Sequence, residues 1–585
     1  MSPHFIITAV FLLCAGLLSE KVQADVPSLD ALLNKYPTPF LEKRPVGLTK
    51  TQQRIWALIG EDDVDLSTSK TRLLLVSGYD GQMDSVEATL SCIQWFRSDA
   101  AAEWRKRYTL TAVPITDPER FRPNGVGGSR PKFPPGPNAY GGVAQPGAAY
   151  LWRWIGMHAP DLVIEIRNAK TSGVFLPPSD DVHLRALGQP ASIFAAGEEQ
   201  SLVAQLARRA PSGTGLVPAV RLHLPGGEAS RVLEVLLGQL DAHGFRGPSP
   251  ARSELQRRFA RSSVEIAQDL SRHYGHALDT VAYIPAVALI GRLRLGELLG
   301  SSDSLADVER IVEPYVTGAQ PSLPEKTRGS HLSGHLVFSE LARLTSAQTY
   351  TKLVLNAANL AFENGQPLEA MPTHTEMSDA VFMGCPILAE AGRLTGDDKY
   401  FNMCLRHMRY MRALNLRSDG LHRHSPMDQA AWGRGNGFPA LGLALSLSAW
   451  PKDHPDYEEM LTAFRAHIGA LVKHQDPTGV WHQVVDEPAS YGELSSTCMI
   501  TFAIARGLRS GWLDAETYRP VVEKAWNAIR LRIGVGGHLV DVCTGTGKQK
   551  NLQAYFDRRA ILGPDPRGGA MALLVTTEIA FLERE

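Results

Sequence analysis

The chain has 585 residues, of which 60 are basic and 61 acidic, for a net charge of −1; 44% are hydrophobic and 21% charged. That length exceeds what one hydrophobic core organises, so two or more domains are expected. The balanced charge removes any electrostatic basis for a nucleic-acid or anionic-membrane partner, and an acidic ligand would have to be held by a few placed cations.

Residues 1–24 read as a secretory signal peptide. An apolar run from Phe5 to Leu18 precedes Val22-Gln-Ala24, which suits cleavage near Ala24, and the run is too short to span a membrane stably. The run is preceded by no Lys or Arg, and a buried N-terminal helix is the alternative. The signal reading implies a secreted or periplasmic protein with no membrane attachment after cleavage, and residues 25–69 then form an N-terminal extension. Once Cys14 is removed, Cys92, Cys385, Cys404, Cys498 and Cys543 remain. An odd number without CxxC spacing points to core thiols and not to a disulfide framework.

Residues 70–248 alternate short apolar strands with helices, the pattern of an α/β layer fold with a mainly parallel sheet. Strands are expected at Thr71–Gly78, Tyr108–Val113 and Asp161–Arg167, with helices at Val86–Phe96 and Ala148–His158. The Gly- and Pro-rich stretch Arg122–Gly147 is a long loop suited to a site wall or lid.

From about residue 250 helical periodicity takes over and strand runs vanish. Helices are expected near 253–272, 280–299, 303–315, 330–345, 347–363, 377–394, 397–414, 431–449, 454–474, 492–511, 515–532 and 568–583. Glu340-Leu-Ala-Arg-Leu-Thr-Ser-Ala-Gln-Thr-Tyr350 is echoed by Glu390-Ala-Gly-Arg-Leu-Thr-Gly-Asp-Asp-Lys-Tyr400, and a longer variant spans Ala505–Tyr518. A helical hairpin recurring at this spacing cannot bury its apolar face alone. Six such hairpins over 250–585 can close into an all-α (α/α)6 barrel; an open solenoid is the alternative, disfavoured because chemically dense loops fall at corresponding hairpin ends.

Three clusters carry the chemistry. Asp379 opens an apolar helix that continues through Phe382, Met383, Cys385 and Pro386. It is either a helix cap or a general acid/base whose carboxyl pKa is raised by apolar surroundings. The run His422-Arg-His424-Ser-Pro-Met-Asp428, followed by Trp432-Gly-Arg434-Gly-Asn436-Gly-Phe438, combines histidine, carboxylate, indole and guanidinium with glycines that permit close approach. A loop with chance histidines is the bland alternative, and a metal on His422 and His424 lacks a third ligand at a telling spacing. The third cluster joins Trp481-His-Gln-Val-Val-Asp486 to Glu493-Leu-Ser-Ser-Thr497; Glu493 suits either a helix cap or a sugar contact.

These clusters resemble the unsaturated rhamnogalacturonyl and glucuronyl hydrolases (glycoside hydrolase families 105 and 88) over roughly residues 255–585. The resemblance implies an (α/α)6 barrel that removes a 4,5-unsaturated uronic acid from polysaccharide-lyase products by hydrating the ring double bond, without a cofactor. It implies Asp379 as the acid, His424 beside the pocket, and Trp432 and Arg434 holding the uronate; Asp428 is a further catalytic candidate, and Asn436, His331, His335, Trp481 and Glu493 are further candidates for substrate binding. The family's second pocket Asp is absent: Arg328-Gly-Ser-His331-Leu-Ser-Gly-His335 stands there, so His331 or Asp428 would take over its role. The partner is an acidic oligosaccharide, and the assembly a monomer or homodimer. An inverting glycosidase on saturated uronides, pairing Asp379 with Asp428, and a non-catalytic carbohydrate-binding protein are the competing readings.

The N-terminal α/β domain resembles a diverged zinc carboxypeptidase-like domain. The likeness rests on Val76-Ser-Gly-Tyr-Asp80 with Glu87, on Val113–Phe121, and on Gln145–Trp154 before Pro160–Arg167. The resemblance implies metal ligands where this chain has Tyr79, Asp80 and Arg167, so no zinc is expected there.

Overall fold

The computed structural model describes residues 29–37, 41–79, 81–121, 131–141, 146–177, 182–186 and 198–585. The expected signal peptide and half of the Arg122–Gly147 loop (122–130 and 142–145) lie outside these residues.

The N-terminal part is a seven-stranded mixed sheet. Its strands are β1 (Glu42–Leu48), β2 (Arg54–Ile59), β3 (Thr71–Val76), β4 (Tyr108–Val113), β5 (Leu162–Asn168), β6 (Gly173–Phe175) and β7 (Ala219–Leu224), in the order β1-β2-β4-β3-β5-β7-β6. The central β4-β3-β5-β7 block is parallel, and these strands are near-continuous apolar runs because both faces are covered. Helices α1 (Met83–Arg97) and α2 (Pro146–His158) are crossover elements. Residues 42–59, expected within an extension, instead form two antiparallel strands of this sheet. Pro45 and Gly47 in β1 mask the strand signal, and a register shift at that point on the edge strand accommodates them.

The C-terminal part is a ring of helical hairpins. Six inner helices, α4 (Tyr283–Leu299), α6 (Leu336–Thr345), α8 (Ala380–Thr395), α10 (Gly433–Ala449), α12 (Leu494–Arg509) and α14 (Pro566–Leu582), pack in succession. The last packs against the first, so the ring closes and the solenoid alternative does not apply. Outside them lie α3 (Ser263–Ser271), α5 (Asp303–Val316), α7 (Gln348–Ala358), α9 (Asp398–Asn415), α11 (Tyr457–Val472) and α13 (Ala515–Leu531). Helix α10 is buried on nearly all sides, as a helix wedged between two inner neighbours must be. Its Gly442 lets the α8 backbone approach: a Cβ there would sit 2.7 Å from Phe382 Cα.

The repeat seen in sequence is the turn between inner and outer helices. Thr345 and Thr395 each donate to the carbonyl four residues back, at 2.8 and 2.7 Å. Ser346 and Gly396 follow in left-handed conformation. Tyr350 and Tyr400 then open the outer helices and donate to Glu309 and Asn359 of the preceding layer. Strands are not absent from this half. β8 (Leu539–Cys543) and β9 (Ala560–Gly563) form a hairpin whose connecting segment, residues 544–559, lies beside His424, Trp432 and Arg434. The five cysteines Cys92, Cys385, Cys404, Cys498 and Cys543 are buried free thiols.

Candidate active site

The N-terminal ends of the inner helices are where the sequence clusters meet. Asp379 is the N-cap residue of α8, Trp432 of α10, Glu493 of α12 and His335 of α6. Because these helices run the same way round the ring, residues far apart in sequence share one mouth, and the positive ends of their dipoles favour an anionic ligand there.

Asp379 is 3% exposed and its side chain makes no capping bond. The cap reading therefore fails geometrically, leaving the carboxylate available for other work. Its neighbour is His424, whose Nε2 stands 3.2 Å from Asp379 Oδ1 yet off the line of a hydrogen bond. Such loose geometry is common at reacting groups before substrate tightens them. Backbone and side-chain ties fix the two segments together: Ser378 N–H donates to His424 O at 2.9 Å, and Ser378 Oγ donates to Gly435 O at 2.6 Å.

Tyr555, which the sequence reading missed, contacts the other side of the imidazole. Its hydroxyl lies 2.9 Å from His424 Nδ1 and accepts the Gln549 backbone N–H at 3.2 Å. Because the Asp379 carboxylate facing Nε2 can only accept, we assign the histidine proton to Nε2, which leaves Nδ1 to accept the phenol proton. Burial, with Asp428 and Asp379 nearby, raises the Tyr555 pKa and keeps the phenol a donor. Only the Gly-rich run Thr544–Lys548 ahead of Tyr555 hinted at a close-approach loop. Tyr283 is a second missed neighbour: its ring meets Phe382 and Phe438 edge-on, and burial pushes its pKa to about 12.

The remaining expected residues fall into two groups. Trp432 walls the pair, its ring centroid 4.5 Å from that of His424, with the Arg434 and Arg558 guanidinium groups 4.5 and 4.4 Å from its ring. Asp428 is half-buried and accepts the Ala430 N–H at 2.8 Å, closing the turn after His424. Its contacts place it as a turn residue beside the site.

The others differ from expectation, because their polar groups are already committed. Arg434 is fully buried and donates to Cys543 O at 2.7 Å, to Gly545 O and to Ser495 Oγ at 3.2 Å. Asn436 brackets the His422 backbone, accepting its N–H and donating to its carbonyl, both at 2.8 Å. Trp481 donates Nε1–H to Leu471 O at 2.7 Å from within the core. Glu493 caps α12, accepting from Ser495 N, Ser495 Oγ and Ser496 N, and also from Cys543 N at 2.9 Å. These four hold the mouth in shape.

Neither histidine at the position of the absent carboxylate contacts Asp379. His331 Nδ1 accepts the Arg328 N–H at 3.1 Å. His335 Nδ1 donates to His331 O at 2.7 Å, and burial depresses its pKa to about 4, so the ring is neutral. His422 packs edge-on against His467, and burial drives its pKa well below the usual value. Neutral, buried and away from any carboxylate in its contacts, it serves the core. The partner that Asp379 does have is His424.

Comparison with known proteins bears on the family of the helical ring. The model of Glycosyl Hydrolase Family 88 matches residues 262–582, more than half the chain and the whole helical ring. The chain belongs to that family. Among curated relatives, an unsaturated rhamnogalacturonyl hydrolase of Bacillus subtilis is 30% identical over 186 residues, covering 30% of this chain and 52% of that protein. An unsaturated 3S-rhamnoglycuronyl hydrolase of Formosa agariphila is 31% identical over 171 residues, covering 26% and 45%. The chain thus spans about half the length of the curated relatives it matches. A solved glycoside hydrolase of family 105 from C. acetobutylicum aligns with a TM-score of 0.49 at 21% identity, covering 56% of this chain and all of that one.

Proposed function

We propose that the protein is a secreted or periplasmic glycoside hydrolase that removes a terminal 4,5-unsaturated uronic acid from acidic oligosaccharides by hydrating the ring double bond. The single observation that carries this reading is the buried Asp379–His424 pair at the mouth of the inner-helix ring. A carboxyl group is suited to giving a proton to C4 of the enol ether, with positive charge developing at C5 and the ring oxygen. Water then adds at C5 and returns a proton to Asp379. The resulting hemiketal opens to a ketone, leaving C1 as a hemiacetal that releases the remaining sugar. His424, with its Nε2 proton facing the carboxylate, steadies Asp379 through both transfers. The names of the relatives support the substrate class.

The N-terminal domain is, on the same reading, a carboxypeptidase-like α/β fold that holds no zinc. At the end of β5, where a metal ligand would be needed, Glu165 is paired with Arg167 at 2.7 Å and with Arg221 at 3.2 Å. Two guanidinium groups on that carboxylate repel a divalent cation.

The test is incubation with lyase-generated oligosaccharides while following the ultraviolet absorbance of the unsaturated ring. Loss of absorbance is expected for the wild type, with Asp379→Asn lowering kcat about 10³-fold, within the range for a lost general acid. Release of saturated sugar with the chromophore intact would favour the inverting glycosidase. Binding without turnover in both proteins would favour a non-catalytic role.

A further inference from the structure

The segment 544–559 that carries Tyr555 is gripped by the N-terminal domain at both ends. Near its C-terminal end, Lys50 pairs with Asp557 at 3.0 Å and Gln52 Nε2 donates to Gln553 Oε1 at 3.0 Å. At its root, Arg153 of α2 donates to Asp541 of β8 at 3.0 Å. Asp541 is fully buried, sits at a bulge with φ of +71°, and also receives Arg532 at 3.1 Å. Between these points Leu48, Tyr140 and Tyr150 of the N-terminal domain share one buried apolar cluster with Trp432, Tyr491, Tyr555 and Phe556. Tyr140 meets Tyr491 edge-on at 5.6 Å. The contact is a polar clamp around an apolar core, and it backs directly onto the Trp432–His424 wall.

We propose that the N-terminal domain is a positioning element of the catalytic centre: it holds residues 544–559 so that Tyr555 sets the tautomer and orientation of His424 toward Asp379. The proposal rests on the reading of Asp379 as the reacting acid. Tyr555 is then a positioning residue, acting on the reaction through His424. The Lys50–Asp557 pair is partly exposed and worth little alone; its role is to keep an already packed segment from drifting, and small displacements at a reacting pair cost rate steeply.

The test uses the full-length protein and a double-mutant cycle. Tyr555→Phe keeps the ring and removes one hydrogen bond, and kcat is expected to fall about tenfold with KM within about twofold. Lys50→Ala with Gln52→Ala removes the clamp at two surface positions, and kcat is expected to fall about three- to fivefold. Placed in the Tyr555→Phe background, the clamp substitutions should add less than about 1.5-fold, since both act through one group. Fully multiplicative losses would overturn the proposal. A second readout needs no substrate: in protein labelled with ¹⁵N-histidine, His424, identified by its loss in His424→Gln, should show a protonated Nε2 and an accepting Nδ1. Both the Tyr555→Phe and the clamp variants should shift it toward a mixture of tautomers. An unchanged His424 in both variants overturns the proposal even if turnover falls. A wild type that shows these shifts but hydrates no unsaturated uronide would sink the hydrolase reading and leave the positioning role standing.

Discussion

Glu493 decides between two roles that share the same position, and Glu493→Ala separates them. The carboxylate accepts four hydrogen bonds, three from the first turn of α12 and one from Cys543 N, and lies 3.6 Å from the Arg434 guanidinium with both side chains fully buried. Removing an N-cap costs about 1 kcal/mol. Leaving the Cys543 amide without its acceptor adds about 1–3 kcal/mol. Stripping the counter-charge from a buried arginine costs about 3–5 kcal/mol in comparable pairs, and Arg434 recovers part of that through its carbonyl acceptors. Since the terms overlap, a total of about 4 kcal/mol is expected, a large share of a typical 5–15 kcal/mol stability. Hydrogen exchange of the amides of Ser495, Ser496 and Cys543 is the direct assay, because it reads local opening without assuming that a two-domain chain unfolds in one step. These amides should lose protection by about 10³-fold, with Glu493→Gln intermediate because it keeps a neutral acceptor but not the charge. If exchange and thermal midpoint stay at wild-type values while KM rises, Glu493 is a substrate contact and the capping argument is refuted.

Two further outcomes are expected. Asp428→Asn should change kcat less than about tenfold, because Asp428 Oδ1 is used to close the turn at Ala430; a loss comparable to that of Asp379→Asn would instead indicate the carboxylate pair of an inverting glycosidase. At the opposite end of the ring, a cavity of about 600 Å³ is lined by Arg294, Arg343, Arg506 and Arg509. Glu578 sits buried against three of these arginines; burial opposes its ionisation, but the arginines prevail and bring its pKa to about 2. A carboxylate with a depressed folded pKa stabilises fully above its unfolded pKa near 4.3 and loses that contribution as pH falls through 2. Acid unfolding should therefore steepen between about pH 4.3 and 2, by on the order of 3 kcal/mol. Glu578→Gln should remove most of that slope; an unchanged acid limb would show that another group controls it.

The sequence by itself determined the hairpin repeat, since a Thr that bonds back one turn is local chemistry and the recurring Tyr marks the start of each outer helix; the partner of each Tyr, 41 residues away in the previous layer, came from the packing. It also determined the inner helices, whose apolar periodicity runs around the whole helix in α10, and the parallel strands β3, β4 and β5, whose unbroken apolar runs allow no half-exposed placement. Asp379 was legible as a chemistry-bearing residue because it stands at the start of an apolar helix, and His424 because histidine, carboxylate, indole and guanidinium groups crowd one short glycine-rich stretch. What only the tertiary structure decided was which polar groups stay available. Arg434, Asn436 and Glu493 have the same side chains whether they face a sugar or a carbonyl. Cys543, the long-range partner of Glu493, lies fifty residues away, Cys543 and Gly545 lie over a hundred from Arg434, and Asn436 is taken up by the His422 backbone fourteen residues back, all beyond the reach of local periodicity. For the same reason Tyr555 was invisible: its hydrogen bond to His424 spans 131 residues and exists only because the ring closes and the N-terminal domain packs behind the segment. Edge strand β1, interrupted by Pro45 and Gly47, likewise becomes a strand only once β2 is there to pair with it. Local periodicity sets which elements form; which side chains remain free to react is settled by long-range packing, because a buried polar group takes whatever partner the fold brings to it.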